Sequence, residues 1–322
     1  MVASPSFLAT WFIEYNDDCC FDRGDPHTVI KLRNIIFSVL SFGLTLLLSG
    51  CNMVVLNPKG VIAADEKELL ITALLLMLII VIPVIIFTFV IARKYRASNT
   101  KAKYTPDWAH STMLEVIWWA IPTAIIIVLA AITWISAHKL DPYRPLDSKV
   151  KPITIQVVAL QWRWLFIYPE QHIATINFVQ FPVNTPVAFL ITSDAPMNSF
   201  QIPQLAGQIY AMAGMETKLH LMANTIGDYN GRSVSFSGDG FAGMKFIARA
   251  SSQQDFDAWV KTVKQSPDQL SIDAYKGLVP PTEDETVKYY SSVADGLFKK
   301  VIMKYMMPEP DMETTKGSPA AG

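Results

Sequence analysis

Thiolates and imidazoles are the side chains that hold copper or zinc, and this sequence is poor in both, with three cysteines and five histidines. Cys19, Cys20 and Cys51 all precede the long apolar runs, so the region beyond them has no thiolate ligand and no internal disulfide. His138, His172 and His220 are widely spaced and lack the paired spacing of a metal site, which makes solvated or hydrogen-bonded imidazoles, and no metal, the expectation. Glu115 is the one residue that invites a chemical role. It stands at the start of an apolar run, where an ionisable group is costly and usually has a reason to be present. The alternative is a solvated acid favoured by the helix dipole at a helix N-terminus.

The segments that must position Glu115 are apolar. Of 322 residues, 51% are hydrophobic and 17% charged, more apolar than an average soluble enzyme. A net charge of -1 supports no nucleic-acid partner. The apolarity is concentrated in Leu69 to Ala92 and Val116 to Ala137, each free of charge and long enough for a helix to cross about 30 Å of hydrocarbon. Pro83 and Pro122 fall inside these runs, and membrane helices tolerate such prolines with a kink. Two helices buried in a soluble core would need polar interruptions that are absent.

A shorter apolar run, Ile35 to Gly50, follows Lys31 and Arg33 in the layout of a signal peptide. It ends in Leu48-Ser49-Gly50-Cys51, which resembles the lipobox of bacterial lipoproteins and makes Cys51 the expected site of lipidation. The alternative is a third membrane helix. Residues before Lys31 fit no part of a signal peptide, and a start at Val29 would exclude them. Between the two spans lie Arg93, Lys94, Arg96, Lys101 and Lys103 against the single acid Asp107, which places that connection in the cytoplasm and everything after about His138 outside. Lipidation on the outer face demands the same orientation.

From about Lys151 to Ser251 the chain reads as β-rich, with short apolar or alternating runs at Ile153 to Leu160, Pro186 to Thr192, Thr217 to Met222 and Met244 to Ala250, separated by turn residues. Gln254 to Lys264 and Val293 to Met306 are amphipathic enough to be surface helices, joined through a Pro280-Pro281 break. The expected organisation is a leader and signal peptide over 1–50, a lipid-anchored N-terminus and two-helix hairpin over 51–138 with spans at 69–92 and 116–137, a β-domain over 139–251, a helical extension over 252–307 and a disordered tail over 308–322.

Particular residues carry a resemblance. Ala159-Leu-Gln-Trp162-Arg-Trp164 resembles the tryptophan-rich segment of subunit II in haem-copper oxidases, and Met197-Asn198-Ser199-Phe200-Gln-Ile-Pro203 resembles that family's entry to its copper loop. Gly227-Asp-Tyr229-Asn-Gly231 through Gly238 and Met244 continues the match in order, and with the spans and tail it covers nearly the whole mature chain. The resemblance implies two transmembrane helices in an antiparallel hairpin, an extracytoplasmic all-β cupredoxin-like Greek-key barrel, and a C-terminal helical extension.

Copper-bearing members of the family place two histidines, two cysteines, a glutamate and a methionine in this loop. Here Asn198 stands for the first histidine, Ser233 and Ser237 for the cysteines, Ser235 for the glutamate and Phe241 for the second histidine, and only Met244 remains. A serine hydroxyl is no bridging thiolate and a phenyl ring cannot coordinate, so the resemblance is to the copper-site-less branch, closest to bacterial cytochrome bo-type ubiquinol oxidase. It implies a non-catalytic subunit with no cofactor of its own. Haem and copper would lie in a partner subunit I that oxidises ubiquinol and reduces oxygen while protons are pumped. Glu115, followed by Val116-Ile-Trp118-Trp119-Ala-Ile-Pro122, matches the helix that carries the family's proton-entry acid, and Trp162, the electron-entry position in copper-bearing relatives, becomes a packing residue. A copper-dependent cytochrome c oxidase subunit, an aa-type menaquinol oxidase subunit and a free-standing lipoprotein module are the alternatives, the first opposed by the missing ligands and the third by two spans that it would not need.

Overall fold

Two long helices open the part of the chain that the computed structural model describes, which is Gly43 and residues 53–306 other than 104, 106, 107 and 284. The rest of the expected leader, Cys51 and the tail from 307 lie outside the described residues. Helix α1, Val61–Lys94, has 34 residues and α2, Thr112–Lys139, has 28. At about 1.5 Å per residue they span roughly 50 and 40 Å, past the hydrocarbon and into the headgroup layers of a bilayer. Apolar side chains surround both helices instead of forming one stripe, and almost all of them are exposed, Phe89 and Trp119 among the most. Both helices run unbroken through their prolines. The hairpin is tied at one end, where Lys139 meets Asp65 at 2.8 Å.

Eleven strands follow. One sheet contains β1 (Ile153–Leu160), β2 (Arg163–Tyr168), β3 (Ile173–Ile176), β5 (Val187–Ser193), β8 (Thr217–Leu221) and β11 (Lys288–Tyr290), in the order β11-β3-β2-β1-β5-β8. The other contains β4 (Phe178–Pro182), β6 (Asn198–Gln201), β7 (Gln208–Ala211), β9 (Gly227–Ser233) and β10 (Lys245–Ser251), in the order β4-β10-β9-β6-β7. Each sheet has one parallel pair, β1 with β5 and β4 with β10, among antiparallel neighbours. This is the cupredoxin-like arrangement, present as two facing sheets bridged at one corner by Ser193 and Ala213.

Residues 155, 157 and 159 of β1 and 164, 166 and 168 of β2 point into the space between the sheets, where Trp164, Phe166, Phe189, Phe200 and Phe246 pack ring on ring. Their neighbours Val158, Leu160, Leu165 and Ile167 point the other way, into a second apolar cluster with Tyr275, Leu278, Leu297, Phe298 and Val301. The first sheet is therefore covered on both faces. That explains why β1 and β2 read as nearly continuous apolar runs and not as alternation.

The covering layer is formed by α4 (Ile272–Leu278) and α5 (Leu297–Met306) of the C-terminal extension, while its first helix, α3 (Gln253–Val263), sends Phe256 and Val263 into the first cluster beside β4. Ser252 and Ser271 cap α3 and α4, accepting from the backbone N–H of Asp255 and Ala274, both at 3.1 Å. Helix α5 begins four residues later than its amphipathic pattern suggests, because Ser292 and Ala294 exchange backbone hydrogen bonds with Leu270, both at 2.9 Å, and Gly296 takes φ +68°. Instead of lying as surface helices, these segments bury Phe256, Tyr275, Leu297 and Phe298.

The membrane hairpin is stitched to the β-domain at the start of α1. The backbone N–H groups of Lys59 and Gly60 donate to Gln204 O at 2.8 and 3.1 Å, and Asn224 N–H donates to Lys59 O at 2.8 Å. A Cβ on Gly60 would lie 2.6 Å from Leu205 O, so this close approach of two backbones requires glycine.

Candidate functional site

Ser233 ends β9, Asn198 begins β6, and Met244 precedes β10 after a short 3-10 turn at Asp239–Gly243. The fold thereby brings Asn198, Ser233 and Met244 together, all buried. Ser233 Oγ donates to Asn198 Oδ1 at 3.0 Å, and Asn198 Nδ2 donates to Pro196 O at 2.8 Å. Ser233 N–H donates to Met244 O at 3.1 Å, and Met244 N–H to Phe241 O at 3.1 Å. Ser235 and Ser237 lie in the loop between, where Ser235 O is a second acceptor for Ser233 Oγ at 3.3 Å. Phe241 turns to meet the exposed ring of Phe236, with centroids 5.7 Å apart.

These residues do not fit a dinuclear copper centre. Such a centre needs thiolate and imidazole donors, and the atoms at those positions are neutral hydroxyls and an amide engaged with one another or with backbone. Ser237 Oγ is buried without a described partner, but one hydroxyl makes no ligand set. Among the described residues no group of three or more histidine, cysteine, aspartate or glutamate side chains converges as a metal site. His138 Nδ1 lies 2.8 Å from Trp134 O and His220 Nδ1 lies 3.0 Å from Pro142 O, each imidazole engaged locally.

Trp162 packs at the margin of the domain core, against this loop. It occupies the two-residue turn between β1 and β2 at φ +66°, a strained backbone for so bulky a residue. Its Nε1 donates to Ser237 O at 3.1 Å, and a Cβ on Gly240 would come within 2.3 Å of the indole. The glycine lets the ring lie flat on the loop. Trp164, two residues on, is the fully buried tryptophan.

Glu115 lies in the first turn of α2, far along that helix from the β-domain. Its Oε1 is 3.5 Å from His110 Nδ1, and the carboxylate is 45% exposed. Thr112, Trp119, Thr123 and Ile127 continue a shallow groove along the same helix face. His110 lies ahead of the helix, two residues before Thr112, so no helical period in the sequence pairs it with Glu115.

Two charged clusters were not legible. Asp194, at the end of β5, has no exposed side-chain surface and accepts from Tyr275 Oη at 2.6 Å, Tyr305 Oη at 2.6 Å and Lys304 Nζ at 2.7 Å. Burial first, and then Asp194, push the Tyr275 phenol far above its ordinary range, so it stays a donor. Arg163 of β2, also buried, donates to Glu285 Oε2 at 2.7 Å, to Pro280 O at 2.8 Å and to the Thr282 hydroxyl. Lys288 Nζ completes the pair at 2.6 Å from Glu285 Oε1. Both clusters fasten the C-terminal extension to the first sheet.

Two spanning-length helices and a cupredoxin-like domain, with no thiolate, imidazole or carboxylate at any expected copper-ligand position, define a membrane-anchored oxidase subunit of the copper-less kind. A model described as the COX Aromatic Rich Motif matches residues 264–309, the extension just described. The cytochrome bo(3) ubiquinol oxidase subunit 2 of Pseudomonas putida is 54% identical over 303 residues, covering 89% of this chain and 96% of that one. Its counterpart from Pseudomonas aeruginosa is 58% identical over 266 residues, covering 83% and 80%. Among solved structures, the periplasmic domain of subunit II of cytochrome oxidase from Bradyrhizobium japonicum aligns over 36% of this chain and 96% of that one, with 22% identity and a TM-score of 0.34. The chain belongs to the cytochrome bo(3) ubiquinol oxidase subunit 2 family.

Proposed function

We propose that this chain is subunit II of a proton-pumping ubiquinol oxidase in a bacterial inner membrane, a non-catalytic partner to a subunit I that carries haem and copper. The observation that carries this reading is the Ser233 to Asn198 hydrogen bond of 3.0 Å, which fills with neutral groups the position where a copper-bearing relative would take electrons from cytochrome c. A donor that avoids this domain is then required. Ubiquinol is lipid-soluble and can reach subunit I within the bilayer, and the printed names of the Pseudomonas relatives support that substrate.

In this arrangement the basic connection between α1 and α2 faces the cytoplasm, the β-domain caps subunit I on the periplasmic side, and acylated Cys51 adds a lipid anchor on that same side. Glu115 then stands at the cytoplasmic mouth of a proton path. Its half-exposed carboxylate can take protons from water, with the His110 imidazole at 3.5 Å as a neighbouring exchange partner.

The test is to purify the complex, determine its haem and copper content, and compare oxygen uptake with ubiquinol and with reduced cytochrome c. Ubiquinol should support turnover and cytochrome c should not; the reverse result, or copper bound by this subunit, overturns the reading. Glu115→Ala in a normally assembled complex should lower turnover about tenfold, equivalent to about 1.4 kcal/mol of barrier, and Glu115→Asp should recover part of it. Full turnover in the alanine variant removes the proton role. An aa-type menaquinol oxidase would share the loop chemistry and is separated by its haem spectrum.

A further inference from the structure

The ends of α1 and α2 nearest the β-domain enclose, with the floor of that domain, a cavity of about 360 Å³. Ile62, Leu140, Leu219 and Met222 give it apolar walls, and the acids Asp65, Glu66, Asp141 and Asp147 with the bases Lys139 and Arg144 bring charge to it. At about 30 Å³ per water it has room for roughly a dozen waters, or for one small zwitterion with its hydration. Its depth in the membrane is fixed by the helices themselves. The uncharged run of α1 begins at Leu69 and that of α2 ends at Ala137, so Glu66 and Lys139 both lie within a turn of the hydrocarbon edge, in the headgroup layer.

The charges are unequally satisfied. Asp65 and Lys139 hold one another at 2.8 Å. Glu66 is half-buried with its carboxylate against Gly207, yet no described cation pairs with it. The close approach is enforced by Gly207, where a Cβ would sit 2.6 Å from Glu66 Oε1. Arg144 has only a loose partner, Asp147 at 3.8 Å, with both side chains largely exposed. A carboxylate in want of a cation and a guanidinium in want of an anion thus line one amphipathic cavity at headgroup depth.

We propose that this cavity seats the headgroup of one phosphatidylethanolamine molecule of the surrounding leaflet, its ammonium on Glu66 and its phosphate toward Arg144 and Lys139. The chemistry selects that headgroup. A primary ammonium donates charge-assisted hydrogen bonds to a carboxylate, whereas the methylated ammonium of phosphatidylcholine has no N–H to give. Phosphatidylglycerol brings the same phosphate but no cation for Glu66, so the surplus of acids in the lining, Asp65, Glu66, Asp141 and Asp147 against Lys139 and Arg144, opposes its net negative charge. The exposed apolar faces of both helices below the cavity offer the acyl chains a continuous surface. The bound lipid would wedge the hairpin against the β-domain at the stitched start of α1.

The experiment uses the full chain, purified in mild detergent with whatever subunits accompany it, after equilibration with vesicles of equal parts phosphatidylethanolamine, phosphatidylcholine and phosphatidylglycerol. Retained lipids are counted by native mass spectrometry. The wild type should hold one phosphatidylethanolamine in preference to the other two, and Glu66→Gln, which keeps the size and removes the charge, should lower its occupancy about tenfold. Arg144→Ser should lower it less. Equal retention by wild type and Glu66→Gln, a preference for either other lipid, or no retained lipid because a neighbouring subunit fills the cavity would each overturn the proposal. Should Glu66→Gln fail to accumulate, the exposed Arg144 decides: unchanged occupancy in Arg144→Ser overturns it as well. Lipid is counted without any turnover assay, so failure of the oxidase reading would leave this result standing or falling by itself.

Discussion

The loop around Ser233 and the clasp around Asp194 and Arg163 are both buried and polar, at two places on the same sandwich, yet they are built from opposite materials. In the loop, neutral hydroxyl, amide and backbone groups satisfy one another, with Ser233, Asn198 and Met244 O as the centre. In the clasp, a carboxylate with no exposed surface holds three donors, and a guanidinium 3% exposed holds a carboxylate and two further oxygens. Removing one neutral hydrogen bond leaves a modest deficit; removing one member of a buried ion pair strands a charge. The neutral loop is thus cheap to alter, and the attachment of the aromatic-rich tail is not.

The widest gap between the two should appear with Arg163→Met. Glu285 would keep Lys288 but lose its buried partner, and Pro280 O and Thr282 would lose a donor, at a cost of roughly 3–5 kcal/mol. Denaturant unfolding, together with early tryptic release of the tail, measures it. A loss below that of Ser233→Ala would break the comparison. Asp194→Asn comes next, at about 2 kcal/mol. The amide still accepts from one tyrosine, and the ion pair with Lys304 is discounted because that side chain is half exposed to water. The tail should again be released before the sheets unfold.

The contrast also separates what the sequence reveals from what it hides. The two spans were legible because charge-free runs over twenty residues long have one economical explanation. Strand β1 was legible from its apolar run, but the reason for that run, a sheet covered on both faces, was not, since periodicity does not say what lies above a sheet. The loop's want of thiolate and imidazole is visible in the letters themselves, whereas the meeting of Asn198, Ser233 and Met244 is seen only in the fold. The clasp had no such mark. Asp194 and Tyr275 are 81 positions apart, Arg163 and Glu285 122, and no local pattern links residues that meet only after the tail has folded back. Helix α4, seven residues with Lys276 and Gly277 inside it, and β11, three residues at a sheet edge, are too short to carry a period at all.

Ser233→Ala should cost about 1 kcal/mol, the ordinary worth of one neutral hydrogen bond, and should leave oxidase turnover unchanged. A loss of turnover would mean that the loop has kept a functional role after all. The smallest effect, and the one that sharpens the comparison by adding a charged pair in water, belongs to Asp228 and Arg249. They form two parallel bonds of 2.7 Å on β9 and β10, with both side chains about half exposed. The hydrogen bond from Arg249 is the main cause that holds the Asp228 carboxyl below its ordinary value of 3.8. A carboxyl depressed in the folded state stabilises at pH above the unfolded value and loses that contribution as pH falls through the folded one. Asp228→Asn should therefore cost no more than about 0.5–1 kcal/mol at neutral pH, less in high salt, and nothing once the pH is well below 4. Unfolding curves of the two proteins taken from pH 7 to pH 2 should converge at the acid end; a constant gap would mean that packing, and not charge, makes the difference at this pair.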